Sequence, residues 1–203
     1  MLETVLQWLC DSWLEVFAVV CSLLYIYLEI KQRSSMWVVG FVSSAVYVVV
    51  FFQEGFFAFS ALYVYFVAIS VYGLYCWRFA QISDNGTTTV ERPVCRLKFR
   101  LGIVLALIAV VLFLGIGYVL DNHIEASDIP PYCEALAVSL NIVATWMLAR
   151  KILEHWILWI FINIFSAALC FSLELYPTTL LFGVYGVMSV VGWFRWKQAI
   201  DDF

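Results

Sequence analysis

The chain has 203 residues, of which 65% are hydrophobic, 18% aromatic and only 13% charged, with a mean hydropathy of +0.95. A water-soluble domain carries about twice that share of charge, so the composition excludes one and predicts an all-α integral membrane protein. The formal net charge of −4 says little about partners, because placement of charge governs a membrane chain; lipid is the expected surroundings and no nucleic-acid partner is expected.

The N-terminal stretch MLETVLQWLCDSW, residues 1–13, lacks a basic n-region and carries Glu3 and Asp11, so it does not read as a cleavable signal. It is too short and too polar to span a bilayer and reads as an interfacial lead-in. A spanning helix needs about 20 mainly apolar residues. Windows meeting or approaching that length fall at 14–30, 36–53, 56–77, 101–120, 133–149, 155–172 and 177–194, which predicts seven spans. The fourth, LGIVLALIAVVLFLGIGYVL, contains no charge at all. Polar linkers separate the windows: KQRSS, QEG, ISDNGTTTVERPVCRLKFR, DNHIEASDIPP, ARKILE and a short turn from Glu174 to Pro177. The six cysteines, Cys10, Cys21, Cys76, Cys95, Cys133 and Cys170, show no CxxC spacing and read as small apolar fillers, with neither a disulfide frame nor a metal site.

Positive charge supports this division. When the linkers are assigned alternately to two sides, Lys31, Arg33, Arg78, Arg92, Arg96, Lys98, Arg100, Arg150, Lys151, Arg195 and Lys197 fall on one side, which is all 11 Lys and Arg residues. The positive-inside rule then places the N-terminus outside and the C-terminus in the cytoplasm. The sequon Asn85-Gly86-Thr87 falls on the cytoplasmic side and reads as a chance match.

Sliding the chain on itself by 119 residues pairs Glu15 with Glu134, Trp37 with Trp156, Phe52 with Phe171, Ser70 with Ser189, Gly73 with Gly192 and Trp77 with Trp196. Lys31 then meets Arg150, and Arg78 meets Lys197. The expected organisation is a duplicated three-helix unit, residues 14–78 and 133–198. Residues 79–132 supply a cytoplasmic loop, a linker helix and an outer loop, and 199–203 a cytoplasmic tail. Three spans plus one linker span return the chain to its starting side, so the two units run parallel, a transporter arrangement with substrate held near mid-membrane.

No Asp or Glu falls near the middle of a span; Glu15, Glu29, Glu54, Glu134 and Glu174 sit near ends. A proton-coupled carrier usually needs such a group, and no ATP-binding loop is present either, so the pattern predicts an uncoupled, facilitative carrier without a cofactor. An enzyme is not expected: His123 and His155 lie toward opposite faces, and His155 reads as a helix-end histidine in water. Candidate ligand contacts are therefore uncharged: Ser44 and Tyr47 in the second window, Tyr63 in the third, Asn141 in the fifth and Asn163 in the sixth. A ligand-sensing or purely structural bundle is the alternative of another class. Asparagine is the more telling type, since two donors and an acceptor cannot all be met inside one helix. Asn163 matches Ser44, and Asn141 matches Ser22, so in each case the second copy holds the stronger polar group.

Within HWILWIFIN, Trp156, Trp159 and Asn163 fall inside about 60° of one another on a helix. Trp156 and its counterpart Trp37 in the other half are further candidate ligand contacts, and Trp156 also suits the aromatic belt of a membrane interface. Asn163 lies ~10 Å deeper, where the belt explains nothing. A flat, aromatic, cationic ligand would use all three, stacking on indoles and fixed by the amide.

The WxxWxxxN pattern, the duplicated unit and the G-x-x-x-W endings at Gly73 to Trp77 and Gly192 to Trp196 resemble the PnuC family of bacterial vitamin transporters over about residues 13–198. The resemblance implies a fold like that of the SWEET sugar transporters, a homotrimer in the bacterial cytoplasmic membrane, and facilitated uptake of nicotinamide riboside trapped by phosphorylation inside the cell. Relatives carry thiamine or riboflavin. In nicotinamide riboside members an aspartate commonly follows the asparagine, where this chain has Ile164, and a glutamine often stands near the place of Tyr63. The resemblance therefore leaves nicotinamide riboside and thiamine both open as the ligand.

Overall fold

Every predicted window forms a helix in the computed structural model, which describes residues 13–53, 57–78, 93–123 and 130–201. The interfacial lead-in (all but its last residue), the Asn85-Gly86-Thr87 sequon, Arg92 and most of the outer loop before Pro130 lie outside those residues. The helices are α1 (Trp13–Ile30), α2 (Ser35–Gln53), α3 (Phe57–Arg78), α4 (Phe99–His123), α5 (Pro131–Ala149), α6 (His155–Ser172) and α7 (Tyr176–Asp201). Five of them are long and apolar enough to cross a membrane, and the apolar parts of α1 and α2, Val19–Ile30 and Ser35–Val50, are shorter. At 1.5 Å per residue the 18 residues of α6 extend ~27 Å, close to the thickness of a hydrocarbon core. The chain is an all-helical, multi-pass membrane protein.

α7 continues past the predicted 177–194 window to Asp201, so the first residues of the expected 199–203 tail belong to the helix. Arg195, Trp196, Lys197, Gln198 and Ala199 contain neither glycine nor proline, and helix propensity carries the segment on after the apolar run has ended.

The chain divides into two compact units, Met1–Gln81 and Ile82–Phe203. In the first, α3 packs along α2, and α1 along α2; in the second, α4 packs on α5, α5 on α6, and α6 on α7. Leu105, Val143, Met147 and Ile152 form a buried cluster joining α4, α5 and the turn after it, with Leu101, Leu112 and Trp146 packed against them.

The turns between helices are closed by residues in the left-handed region, Gln32 (φ 53), Lys151 (φ 51) and Glu174 (φ 60). Each ends a helix by the same pair of hydrogen bonds. Gln32 N donates to Glu29 O (2.9 Å) and Arg33 N to Leu28 O (2.9 Å); Lys151 N donates to Leu148 O (2.9 Å) and Ile152 N to Met147 O (3.0 Å). At the third, Glu174 N donates to Phe171 O (3.1 Å) and Leu175 N to Cys170 O (2.9 Å). This is the Schellman closure, which satisfies carbonyls left open at a helix end and which glycine usually supplies.

In the second unit the turn after α5 is covered. The stretch leading into α4 runs beside it through a single parallel bridge between Cys95 and Ile152. Cys95 N donates to Lys151 O (2.9 Å), Leu153 N donates to Cys95 O (2.9 Å), and Leu97 N donates to a Glu154 carboxylate oxygen (2.7 Å). Lys151, Ile152 and Leu153 are buried beneath it.

Candidate functional site

The two units share one local construction. Trp37 on α2 packs edge-to-face on Trp77 of α3, with centroids 5.9 Å apart and planes at 84°. Trp156 on α6 packs on Trp196 of α7 at 5.8 Å and 80°. Gly73 faces the Trp37 indole and Gly192 the Trp156 indole so closely that a methyl group on either glycine would overlap the ring. Ser70 donates to Phe66 O (2.7 Å) and Ser189 to Tyr185 O (2.8 Å). All these pairs are separated by 119 residues, as are the left-handed Gln32 and Lys151.

Trp156 is fully buried and Trp37 is 1% exposed. Both rings are held by their glycines and partner tryptophans, and so both serve the packing of their own unit.

Two positions on α6 depart from the shared construction. Trp159 corresponds to Gly40, and Asn163 to Ser44. Gly40 is buried with no room for a side chain: a methyl group there would lie 2.9 Å from the ring of Tyr25 and 3.2 Å from Ser70 Oγ. The second unit thus holds an indole where the first cannot hold even an alanine without a shift. Trp159 is half-buried, yet its indole N–H is sealed and makes no hydrogen bond within the described residues, a situation shared with Trp37 and Trp156. An unmade hydrogen bond of this kind costs about 1–3 kcal/mol and calls for a ligand, a water or a packing gain elsewhere. For Trp37 and Trp156 the packing gain is visible. For Trp159, one turn deeper, the shared packing offers none.

Asn163 is buried, about 12 Å along the axis from the start of α6. Its Nδ2 donates to Ser189 Oγ of α7 (3.2 Å), and Gly186 approaches its Cβ, so α7 presents a small-residue face to it. Asn141 stands apart: its Nδ2 donates to Ala137 O (2.8 Å) inside α5, while its backbone carbonyl accepts from Thr145 Oγ1 (2.7 Å). Among the described residues it makes no hydrogen bond to Trp159 or Asn163. In the first unit Tyr47 and Tyr63 come together with ring centroids 4.9 Å apart, and Ser44 is buried one turn before Tyr47. Trp37 lies ~15 Å from Tyr47 along α2 and belongs to a separate cluster.

His155 corrects an expectation. It is fully buried, its Nδ1 is 2.6 Å from Ile152 O, and its ring lies 4.8 Å from Trp156 and 4.9 Å from Trp196. A helix start is normally wet, but here the 93–98 stretch covers the turn and closes the helix end into the unit. No sequence pattern signals that cover. Among the described residues no group of three His, Cys, Asp or Glu side chains comes together as metal ligands would. Every described Lys and Arg of the second unit lies in a turn or near a helix end, away from Asn163.

The fold is similar to that in a crystal structure of the vitamin B3 transporter PnuC, with a TM-score of 0.72 at 23% identity over 98% of this chain and 87% of that one. In sequence the chain is similar to the nicotinamide riboside transporter PnuC of Escherichia coli, 26% identical across 94% of this chain and 87% of the relative. It also resembles the transporter of that name from Haemophilus influenzae, 23% identical across 94% and 81%. The family described as nicotinamide mononucleotide transporter matches residues 12–198, nearly the whole chain, and the chain belongs to that family.

Proposed function

We propose that this protein is a facilitative carrier that takes up nicotinamide riboside across the bacterial cytoplasmic membrane, with Trp159 and Asn163 as its principal ligand contacts. The observation that carries the reading is the departure of these two residues from a construction the two units otherwise share, Trp159 replacing a packed Gly40 and Asn163 a Ser44. Trp159 offers a ring for stacking on a cationic pyridine and an N–H without a partner; Asn163 offers an amide. Trp156 supports the site from behind by holding α6 against α7.

The same surroundings favour the riboside over its phosphate. A phosphate carries about −1.5 to −2 charges and is expensive to bury without cations. The described Lys and Arg of the second unit, including Arg150, Lys151, Arg195 and Lys197, stand near helix ends. The absence of a mid-span carboxylate in the sequence favours uncoupled transport, with phosphorylation inside the cell making uptake one-way. We further propose that the two halves are a duplicated, parallel three-helix unit, that the N-terminus is outside and the C-terminus cytoplasmic, and that the chain assembles as a homotrimer. The recurrent tryptophan–glycine construction supports the first, the placement of 11 cationic residues the second, and the family resemblance the third. It is a carrier rather than an enzyme.

Tryptophan fluorescence of the purified protein, titrated with nicotinamide riboside, its mononucleotide and thiamine, tests the ligand. Tight quenching by the riboside alone is expected, and tight binding of thiamine with no response to the riboside overturns the assignment. Proteoliposomes that bind the ligand without ever equilibrating it would make the protein a sensor or a structural bundle.

A further inference from the structure

Ser189 is fully buried, and its hydroxyl oxygen lies 2.8 Å from the backbone carbonyl oxygen of Tyr185 and 3.2 Å from Asn163 Nδ2. A carbonyl oxygen has no proton to give, so a contact of 2.8 Å between these two oxygens requires the Ser189 proton to lie between them. The hydroxyl then has only lone pairs left for Asn163, and those accept. The amide group facing Ser189 must therefore be the NH2; with the amide reversed, two acceptors would confront each other. Asn163 is in this way held with its carbonyl oxygen turned away from Ser189, and no described residue donates to that oxygen.

In the first unit, Ser70 commits its proton to Phe66 O in the same manner, at 2.7 Å, while the place of Asn163 is taken by Ser44. The committed serine is thus common to both units, and the amide it orients is present in one.

We propose that Ser189 is a positioning residue that presents Asn163 to the ligand as a hydrogen-bond acceptor, so that the site selects a ring substituent bearing N–H and rejects the carboxylate that would replace it. Among pyridine ribosides this selects the carboxamide over the acid. The proposal rests on Asn163 being a ligand contact, as argued for the function above. A carboxylate has no proton for the Asn163 oxygen and would place a buried charge against it, whereas a carboxamide donates.

The test compares nicotinamide riboside with nicotinic acid riboside by equilibrium binding to the purified, full-length protein. The wild type is expected to prefer the amide by ~100-fold or more, as sites built around a specific hydrogen bond do. Ser189→Ala frees the Asn163 amide to reverse and offer its NH2, and the preference is expected to fall by about tenfold. Asn163→Asp added to Ser189→Ala should restore it, because a carboxylate accepts in either orientation. An unchanged ratio in Ser189→Ala with both ligands still bound, or no recovery in the double variant, overturns the proposal. If Ser189→Ala does not fold, Ser189→Gly, which also removes the hydroxyl, makes the same comparison, and an unchanged ratio there overturns the proposal. If the wild type binds thiamine instead, the expected preference for the amide riboside is missing and the proposal is overturned together with the assignment of the ligand. If it binds neither vitamin, the functional assignment fails and this proposal with it, a result distinct from binding with an unaltered ratio.

Discussion

The indole of Trp156 lies against Gly192 with no space between them for a side chain, and Trp37 covers Gly73 in the same way in the other unit. Both rings are buried, so a methyl group cannot be accommodated by swinging the indole into solvent. Gly192→Ala and Gly73→Ala are each expected to destabilise by about 1–3 kcal/mol, the usual cost of overfilling a packed core. Trp156→Ala should cost more, about 3–5 kcal/mol, by leaving a ring-sized hole. Thermal unfolding of the purified protein in detergent measures all three, and wild-type stability in the glycine variants would show that the rings can move aside.

Trp159 and Asn163 should behave in the opposite manner. Trp159 is half-buried and outside the Trp156–Trp196 pair, so Trp159→Ala removes less packing than Trp156→Ala does. It is expected to weaken ligand binding by about 10-fold to 100-fold, the scale of a lost ring stack together with a lost hydrogen bond, and to lower the melting temperature less than Trp156→Ala does. Asn163→Ala should do the same. Calorimetric titration of each variant beside its melting curve separates the two effects; binding lost only in step with stability would reduce the stripe to packing.

The helices were legible because lipid demands long apolar runs, and the 119-residue offset was legible because the Trp37–Gly73 and Trp156–Gly192 contacts need the same residue types in both units. What separates Trp156 from Trp159 was not. Their spacing places them on one stripe, and only the contacts show that one ring is locked by Gly192 while the other stands where the first unit has Gly40. The burial of His155 was equally hidden, since it depends on Cys95 meeting Ile152, residues far apart in sequence and joined by backbone atoms that carry no side-chain signature. The left-handed turns carry no sequence signature, because Gln32, Lys151 and Glu174 stand where glycine is usual.

Besides the two backbone hydrogen bonds of Cys95, the stretch entering α4 is tied to the turn after α5 by the Glu154 side chain. Its carboxylate accepts from Leu97 N at 2.7 Å, whereas its ion pair with Arg96 is longer, 3.8 Å, and the Arg96 side chain is 55% exposed. A charge-assisted bond to a backbone N–H outweighs an exposed ion pair, which contributes about 0–1 kcal/mol and less in salt. Arg96→Ala is therefore expected to leave the clasp as tight as in the wild type, and Glu154→Ala to loosen it, most of all at Leu97. Glu154→Gln, which keeps an acceptor oxygen, should fall between them. Hydrogen exchange at the amides of Cys95, Leu97 and Leu153 reads this directly, and equal protection in Arg96→Ala and Glu154→Ala would contradict it.

Glu174 offers a change that should strengthen the protein. It is exposed and closes α6 at φ 60, a region that costs a non-glycine residue about 1–2 kcal/mol. The matching position in the first half of the sequence is Gly55. Glu174→Gly relieves that strain, loses no buried contact, and gives back about 0.5–1 kcal/mol through the greater freedom of glycine in the unfolded chain, for a net gain of about 0.5 kcal/mol. Lys151 has the same backbone geometry, φ 51, but its side chain is only 2% exposed and is packed into the turn beneath the 93–98 stretch. Lys151→Gly removes that packing along with the strain and is expected to destabilise. Melting temperatures of the two variants should therefore move in opposite directions, and a shared sign would mean that backbone strain alone, or side-chain burial alone, governs these turns.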